Sequence, residues 1–274
     1  MKKILLWSMV FIGLSAFMTT SDYRSIKNDS FQRGEQIEYL VHYLGLSAGT
    51  AKVNVDPRCY VLNNRICYRV EVLGQTVGAA GAMYKVNDTW RSYVDSTAFI
   101  THRFFRHLEE NNYRREELTD FNPLTNVATM KYEQYGTKDP PNKPRQKGVK
   151  TFTAPQYAQD LVSGYYYLRT IDFNQLKEGE IITIPGVLEN ESYTLSIRYK
   201  GKETVRTKFG KINAHRLVPI MPKNGLFNGE SSIRFWVSDD KNRVPVRIEA
   251  DMFVGKVVCE IRDYKNIRHK FSFQ

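Results

Sequence analysis

Alternation with a period of two residues is the feature that most limits what this chain can fold into. In "EQIEYLVHY" the apolar residues Ile37, Tyr39, Val41 and Tyr43 share one face. "RICYRVEV" repeats this with Ile66, Tyr68, Val70 and Val72, and "SYTLSIRYK" with Tyr193, Leu195, Ile197 and Tyr199. Successive side chains of a strand point to opposite faces, so such runs describe antiparallel strands with one face buried and one polar. Turn signals separate them: Asn63-Asn64, "FNPLTN" at Phe121 to Asn126, "KGK" at Lys200 to Lys202 and "MPKNG" at Met221 to Gly225. The 17 Tyr and 15 Phe suit the pleated, half-buried surface of a sheet. The expected fold class is therefore all-β and predominantly antiparallel.

One stretch breaks the period. In "TAPQYAQDLVSGYYYLRTI" the residues Tyr157, Leu161, Tyr165 and Leu168 recur at helical spacing, with Pro155 suited to a first turn. Upstream, "KDPPNKPRQKGVK" is rich in Pro and basic residues and is expected as an exposed loop. The expected layout is a leader at 1–21, an N-terminal β lobe at 31–137, the basic loop at 138–150, a connecting helix at 151–171 and a C-terminal β lobe at 172–265. The two lobes are expected to be similar curved sheets, with the helix between or across them.

The halves share a pattern. "YVDSTAFITHRF" from Tyr93 aligns without a gap to "VSDDKNRVPVRI" from Val237, placing Asp95 on Asp239, Ile100 on Val244 and Arg103 on Arg247. "RGEQIEY" and "EGEIITI" open the halves alike. The Ser238-Asp239-Asp240 triplet thus reads as an Asp-organised turn between strands and not as a carboxylate pair for catalysis.

The first 21 residues carry an address. Lys2 and Lys3 precede an apolar run from Ile4 to Phe17, and small or polar residues follow. That is the pattern of a secretory signal cleaved near residues 16–21, and the run is short of the roughly 20 residues of a spanning helix. The expected location is the periplasm, with no membrane-integral segment after cleavage. The net charge of +11 favours contact with anionic envelope surfaces, while export and the lack of any motif argue against nucleic acid. Of the three Cys, Cys59 and Cys67 flank the Asn63-Asn64 turn. An odd-length loop would oppose them and permit a disulfide, whereas a two-residue turn would pair Cys59 with Tyr68 and leave the thiols out of register. Cys259 alternates in phase with Val257 and Ile261 and is expected to be buried and unreactive.

No catalytic signature stands out. The Gly-rich "GQTVGAAGAMYKV" lacks the Lys-Ser/Thr of a phosphate loop and is expected to allow close backbone approach or to form a loop. His102 and His107 fall on opposite faces, no His pair has metal-protease spacing, and Ser163 in "LVSGY" lacks the leading Gly of a nucleophile elbow. Asp88, Asp95, Asp160 and Asp239 form the carboxylate pool. Asp160, beside Tyr165 to Tyr167, is the most interesting of them: it is expected first as an ordinary exposed carboxylate of the helix, the alternative being a structural pairing with Arg169 or with the backbone of a neighbouring sheet. No catalytic residue, metal ligand or cofactor is assigned.

Four segments in order, "FQRGEQIEYLVHYLGLSAGTAKV", "NDTWRSYVDSTAF", "AQDLVSGYYYLR" and "FWVSDDKNRVPVRIEADMFVG", resemble the family known as domain of unknown function 3108. The likeness runs from about Phe31 to Lys265. It implies a β-rich exported protein of a Gram-negative envelope with no established activity and no catalytic residues to carry over. The chain departs from it at Gly74 to Val86, which is small where bulkier aromatics are expected. The functional expectation is non-enzymatic binding or handling of an envelope component, with a lipid-like ligand as the candidate, on a concave aromatic face. The alternatives are a structural protein that docks another envelope protein, and a hydrolase of envelope glycans or lipids.

Overall fold

The structure is a computed structural model that describes residues 23–188, 190–220 and 231–274. The leader and the "MPKNG" turn signal lie outside the described residues. The strands are β1 (Gln36–Tyr43), β2 (Leu46–Val55), β3 (Tyr60–Leu62), β4 (Arg65–Thr76), β5 (Asn87–Asp95), β6 (Thr101–Glu110), β7 (Tyr113–Asn122), β8 (Val127–Gly136) and β9 (Gln146–Thr153). After helix α2 (Leu161–Leu168) come β10 (Ile181–Leu188), β11 (Glu191–Thr207), β12 (Gly210–Pro219), β13 (Ile233–Ser238), β14 (Pro245–Asp251) and β15 (Lys256–Lys265). A six-residue helix, α1 (Gly78–Met83), interrupts the path from β4 to β5.

All the strands join one antiparallel sheet in the order β10-β11-β12-β13-β14-β15-β1-β2-β4-β5-β6-β7-β8-β9, with β3 added onto β4. The halves expected as lobes meet where β1 pairs with β15, from Gln36 opposite Lys265 to Tyr43 opposite Val257, and the sheet runs through that pair without a break. The two outer strands approach each other through the segment after β9. Gln159 N donates to Pro185 O and Val187 N to Gln159 O, while Thr101 N donates to Ala158 O and Ser192 Oγ to Thr153 O. The sheet is thereby curled nearly into a barrel, which leaves little exposed edge.

The inner face carries most of the predicted alternation: Ile37 and Tyr39 of β1, Val70 of β4, and Ile197 and Tyr199 of β11 are buried, whereas Ile66, at the start of β4 beside the Asn63-Asn64 turn, is 56% exposed. One end of the barrel is plugged by α2, by the segment before β1 and by the chain's last residues. Phe31, Phe99, Tyr166, Val246 and Phe271 share this core. The other end, called the rim below, carries the turns 43–46, 252–255, 111–112 and 137–145 together with α1.

Four expectations change. The helix begins at Leu161 and not near Thr153, because Tyr157 takes a left-handed backbone (φ 59°) and Asp160, extended, caps the first turn. Residues 146–150 of the basic stretch belong to β9, so the exposed connection is shorter than 138–150. "KGK" is not a turn: β11 continues through it with a register shift between Tyr199 and Lys202, absorbed at Gly201 (φ 80°). The Gly/Ala-rich stretch contains α1, with close backbone approach at Gly81, where a Cβ would lie 3.2 Å from Thr76 O.

Asn63 (φ 48°) and Asn64 (φ 57°) form a two-residue turn that opposes Tyr60 to Cys67. Cys59 therefore falls one step beyond Cys67 in register, and both thiols are free. Cys259 is partly buried, and burial pushes its thiol up to about 12, in keeping with an unreactive group.

Candidate ligand-binding site

Both Asp-led turns are structural. Asp95 Oδ1 accepts from Thr97 N and Ala98 N at 2.8 Å each, organising the turn from β5 to β6. Its Oδ2 takes Arg65 Nε at 2.6 Å and lies 3.2 Å from His102 Nε2. Burial opposes the charge on Asp95, but these partners outweigh it and hold the carboxyl far below the usual carboxylate range. In the second half the same work is divided. Asp240 Oδ1 accepts from Asn242 N and Arg243 N, and Ser238 Oγ accepts from Val244 N. Asp239 instead pairs with Lys202 Nζ at 2.7 Å and His215 Nε2 at 2.9 Å. His215 Nδ1 meets the Tyr199 hydroxyl at 3.0 Å.

The gapless alignment holds on the outgoing strands only. Asp95 N bonds Ile100 O, and Ser238 N bonds Val244 O, so the second turn is one residue longer. Both hairpins shift register at the matching place, between Tyr93 and Val94 and between Trp236 and Val237.

Asp160, expected as an exposed carboxylate within the helix, is instead buried as the cap at the N-terminus of α2, because the helix starts only after it. Its Oδ1 accepts from Val162 N (2.7 Å) and Ser163 N (2.9 Å), and its Oδ2 from Ser92 Oγ (2.6 Å) and Thr101 Oγ1 (2.8 Å). A carboxylate offers about four lone-pair sites, so Asp160 has no acceptor left for a substrate. Ser163 Oγ accepts from Asp160 N and completes a capping box; it is a structural hydroxyl and not a nucleophile. Burial dominates at Asp160 and raises its pKa despite these donors. Arg169 does not reach Asp160. It forms a fully buried fork with Glu35, at 2.5 and 2.9 Å, and donates to Ser30 O and Asn242 O. Burial works against its charge, yet the Glu35 carboxylate prevails and raises the guanidinium above its ordinary value.

These polar contacts fix α2 across the plugged end and leave its other face looking into the barrel. Above that face lies a cavity of about 260 Å³. Leu161, Gly164, Tyr165 and Leu168 of α2 form its floor; Ile184, Leu195, Phe235 and Ile248 are among its sheet walls. The lining is almost wholly apolar. Tyr165 is tied by its hydroxyl to Tyr39 (2.7 Å), and Tyr39 donates to Pro245 O (2.9 Å). Burial pushes the Tyr165 phenol up to about 12, so the floor carries no charge. Gln159, on the same wall, gives Nε2 to Phe99 O and Tyr157 O, while its buried Oε1 has no hydrogen-bond partner.

Past Asp160 and Leu161 the interior turns polar only toward the rim. A small recess shares these two residues with the apolar cavity and shares Arg106 and Asn190 with a more open one of about 520 Å³. The open recess is lined by Arg106, Arg115 and Lys150 together with Glu110 and Glu191. Arg106 Nε binds Glu117 at 2.7 Å, and Arg115 reaches the same carboxylate. The interior thus has an apolar side under β10, β11, β13 and β14, while under β6 to β9 it is apolar around Phe104, Phe121, Met130 and Phe152 and of mixed charge only toward the rim. Sequence periodicity marked the inward residues of each strand. It did not mark the cavity, which exists only because the sheet curls around α2.

A family model described as a protein of unknown function, domain of unknown function 3108, matches residues 38–262. No curated protein matches the chain significantly in sequence. Among solved structures, the chain is similar to a β-barrel-like protein of domain of unknown function 1849 from Brucella abortus. That match has 8% identity and a TM-score of 0.51 over 87% of this chain and 99% of the other. A Bacteroides fragilis protein with a YmcC-like fold gives 12% identity and a TM-score of 0.35 over 88% of this chain and 99% of the other. The first likeness concerns the fold alone, and the second is too distant to carry an argument.

Proposed function

The chain belongs to the domain of unknown function 3108 family, and we propose that it is an exported envelope protein whose interior binds a lipid-like amphiphile without catalysis. The observation that carries this reading is the apolar cavity of about 260 Å³ between α2 and the curled sheet. Natural interiors are filled to crystal-like density, so an unfilled apolar space of this size calls for an occupant. The apolar chain of the amphiphile lies over Gly164, Tyr165 and Ile248, and its polar head lies toward Arg106 and Lys150. The carboxylates nearest the cavity do not support a hydrolase: Asp160 is saturated by its four donors.

The test is native mass spectrometry of the protein isolated from its own envelope fraction without detergent, with solvent extracts run in parallel. A stoichiometric adduct that dissociates under denaturing conditions is expected. Ile248→Trp, which fills the cavity, is expected to remove it. An unmodified mass that stays unchanged after incubation with envelope lipids would overturn the proposal and favour a role in docking another envelope protein.

A further inference from the structure

The rim presents apolar side chains to solvent on several neighbouring elements. On the turn from β14 to β15, Phe253 is 63% and Val254 71% exposed; on the turn from β1 to β2, Leu44 is 61% and Leu46 73% exposed. Met83, at the end of α1, is 87% exposed. These elements are consecutive around the sheet and are tied together by hydrogen bonds. Leu44 N donates to Lys256 O, the Tyr43 hydroxyl to Val254 O, and Val77 N to Ala48 O. The same stitching continues to the basic loop, through Thr76 N to Val86 O, Asn111 N to Lys85 O and Thr137 N to Asn112 O. In the connection 137–145 and the start of β9, that part of the rim carries Lys138, Lys143, Arg145 and Lys147 against two acids, Asp139, paired with Lys143, and Glu133 of β8, shared by Arg145 and Lys147.

We infer that the rim docks on an anionic lipid bilayer, with the side chains of Leu44, Leu46, Phe253 and Val254 entering its surface while the basic loop meets the headgroups. Two features favour a bilayer over a protein partner. The apolar groups stand in pairs at the tips of two neighbouring hairpins and do not form a continuous groove or an open strand edge, whereas lipid accepts each tip independently. The flanking charge is positive, as the surface of an anionic leaflet requires. Because α2 lies at the opposite end, this orientation turns the end of the interior away from α2 toward the lipid. The docking surface does not depend on cavity occupancy, since its residues are not among those lining the cavity.

The test is co-sedimentation with vesicles of phosphatidylcholine, with and without phosphatidylglycerol, for the wild type and for the double variant Leu46→Glu/Phe253→Glu. Binding is expected only with phosphatidylglycerol and is expected to fall as salt rises. Placing two carboxylates on the tips is expected to weaken it by roughly tenfold or more, since each tip loses the transfer of a large apolar side chain. Both positions are exposed, so thermal unfolding of the variant is expected to match the wild type. A second readout is Phe253→Trp, whose added fluorescence should shift to the blue on anionic vesicles. No sedimentation with anionic vesicles, or equal sedimentation of the double variant, would overturn the inference. Neither outcome bears on the cavity, which the mass measurement tests separately.

Discussion

Asp160 carries two opposed effects at a single residue. Its four hydrogen bonds fasten α2 to β5 and β6, while its burial penalises the ionised carboxyl and raises its pKa. Asn keeps an acceptor for the two helix N–H groups and can donate to Ser92 and Thr101. Asp160→Asn is therefore expected within about 1 kcal/mol of the wild type at neutral pH. Asp160→Ala loses the cap and strands two buried hydroxyls, at a cost of about 2 kcal/mol or more. Urea midpoints of the two variants measure the difference, and equal losses would refute the argument. His215 supplies a pH response. Burial lowers its pKa from 6.5 despite Asp239, so the unfolded chain binds the proton more readily, and stability is lost as pH falls through about 6.5 toward the folded value. Asp95 and Asp239, held below their ordinary 3.8, add a second loss only below about pH 4. Melting temperatures at pH 7.5 and pH 5.5 are expected to fall for the wild type and to fall less for His215→Gln; an equal fall in both would remove His215 from the account. The sequence singled out Asp160 and cast the Asp-led triplet as a turn. It gave no sign of Glu35, whose partner Arg169 lies 134 residues away. Spacing carries no information about such a pair, because each member looks like an ordinary charged residue on its own element.

At the level of the element, the strands were the most legible. A strand's alternation is printed in its own residues; β1 and β11 follow it, while β4 departs from it at its start, where Ile66 is exposed and Cys67 buried. The start of α2 was harder to place because Pro155 and Tyr157 continue the helical spacing backwards into a segment that is not helical. The marker of the true start was present in the sequence as Asp160 followed three residues later by Ser163, a cap and its reciprocal partner. Gly164 remains inside the helix beside the cavity, and a Cβ there would meet only Gln159 Cβ at an ordinary 3.8 Å. Gly164→Ala is therefore expected to stabilise the protein by up to about 1 kcal/mol, seen as a higher urea midpoint. A lower midpoint would mean that the site does not have the room assigned to it.

The whole molecule depends on pairings that no local pattern announces. The β1–β15 ladder and the shared core of Phe31, Tyr166 and Phe271 join the first described elements to the last. The sequence reading therefore described two lobes where the structure has one sheet: alternation identifies strands but says nothing about which strand neighbours which. Phe271 stacks edge-on against Tyr264 at 4.7 Å and is buried although it follows the final strand. Phe271→Ala is expected to cost about 3 kcal/mol or more, read as a fall in melting temperature. A loss under about 1 kcal/mol would show that the tail contributes little to closing the plugged end.

The β1–β15 ladder also bears on timing. The first strand to emerge from synthesis or from a translocation channel has one flank whose partner is the last strand of the chain. Contacts of such wide separation are slow to form, because the intervening chain must be ordered first. A protein built this way cannot complete its fold while any of its strands are still in transit. Under the proposed export, that delay keeps the chain extended and able to be threaded until the whole of it has crossed.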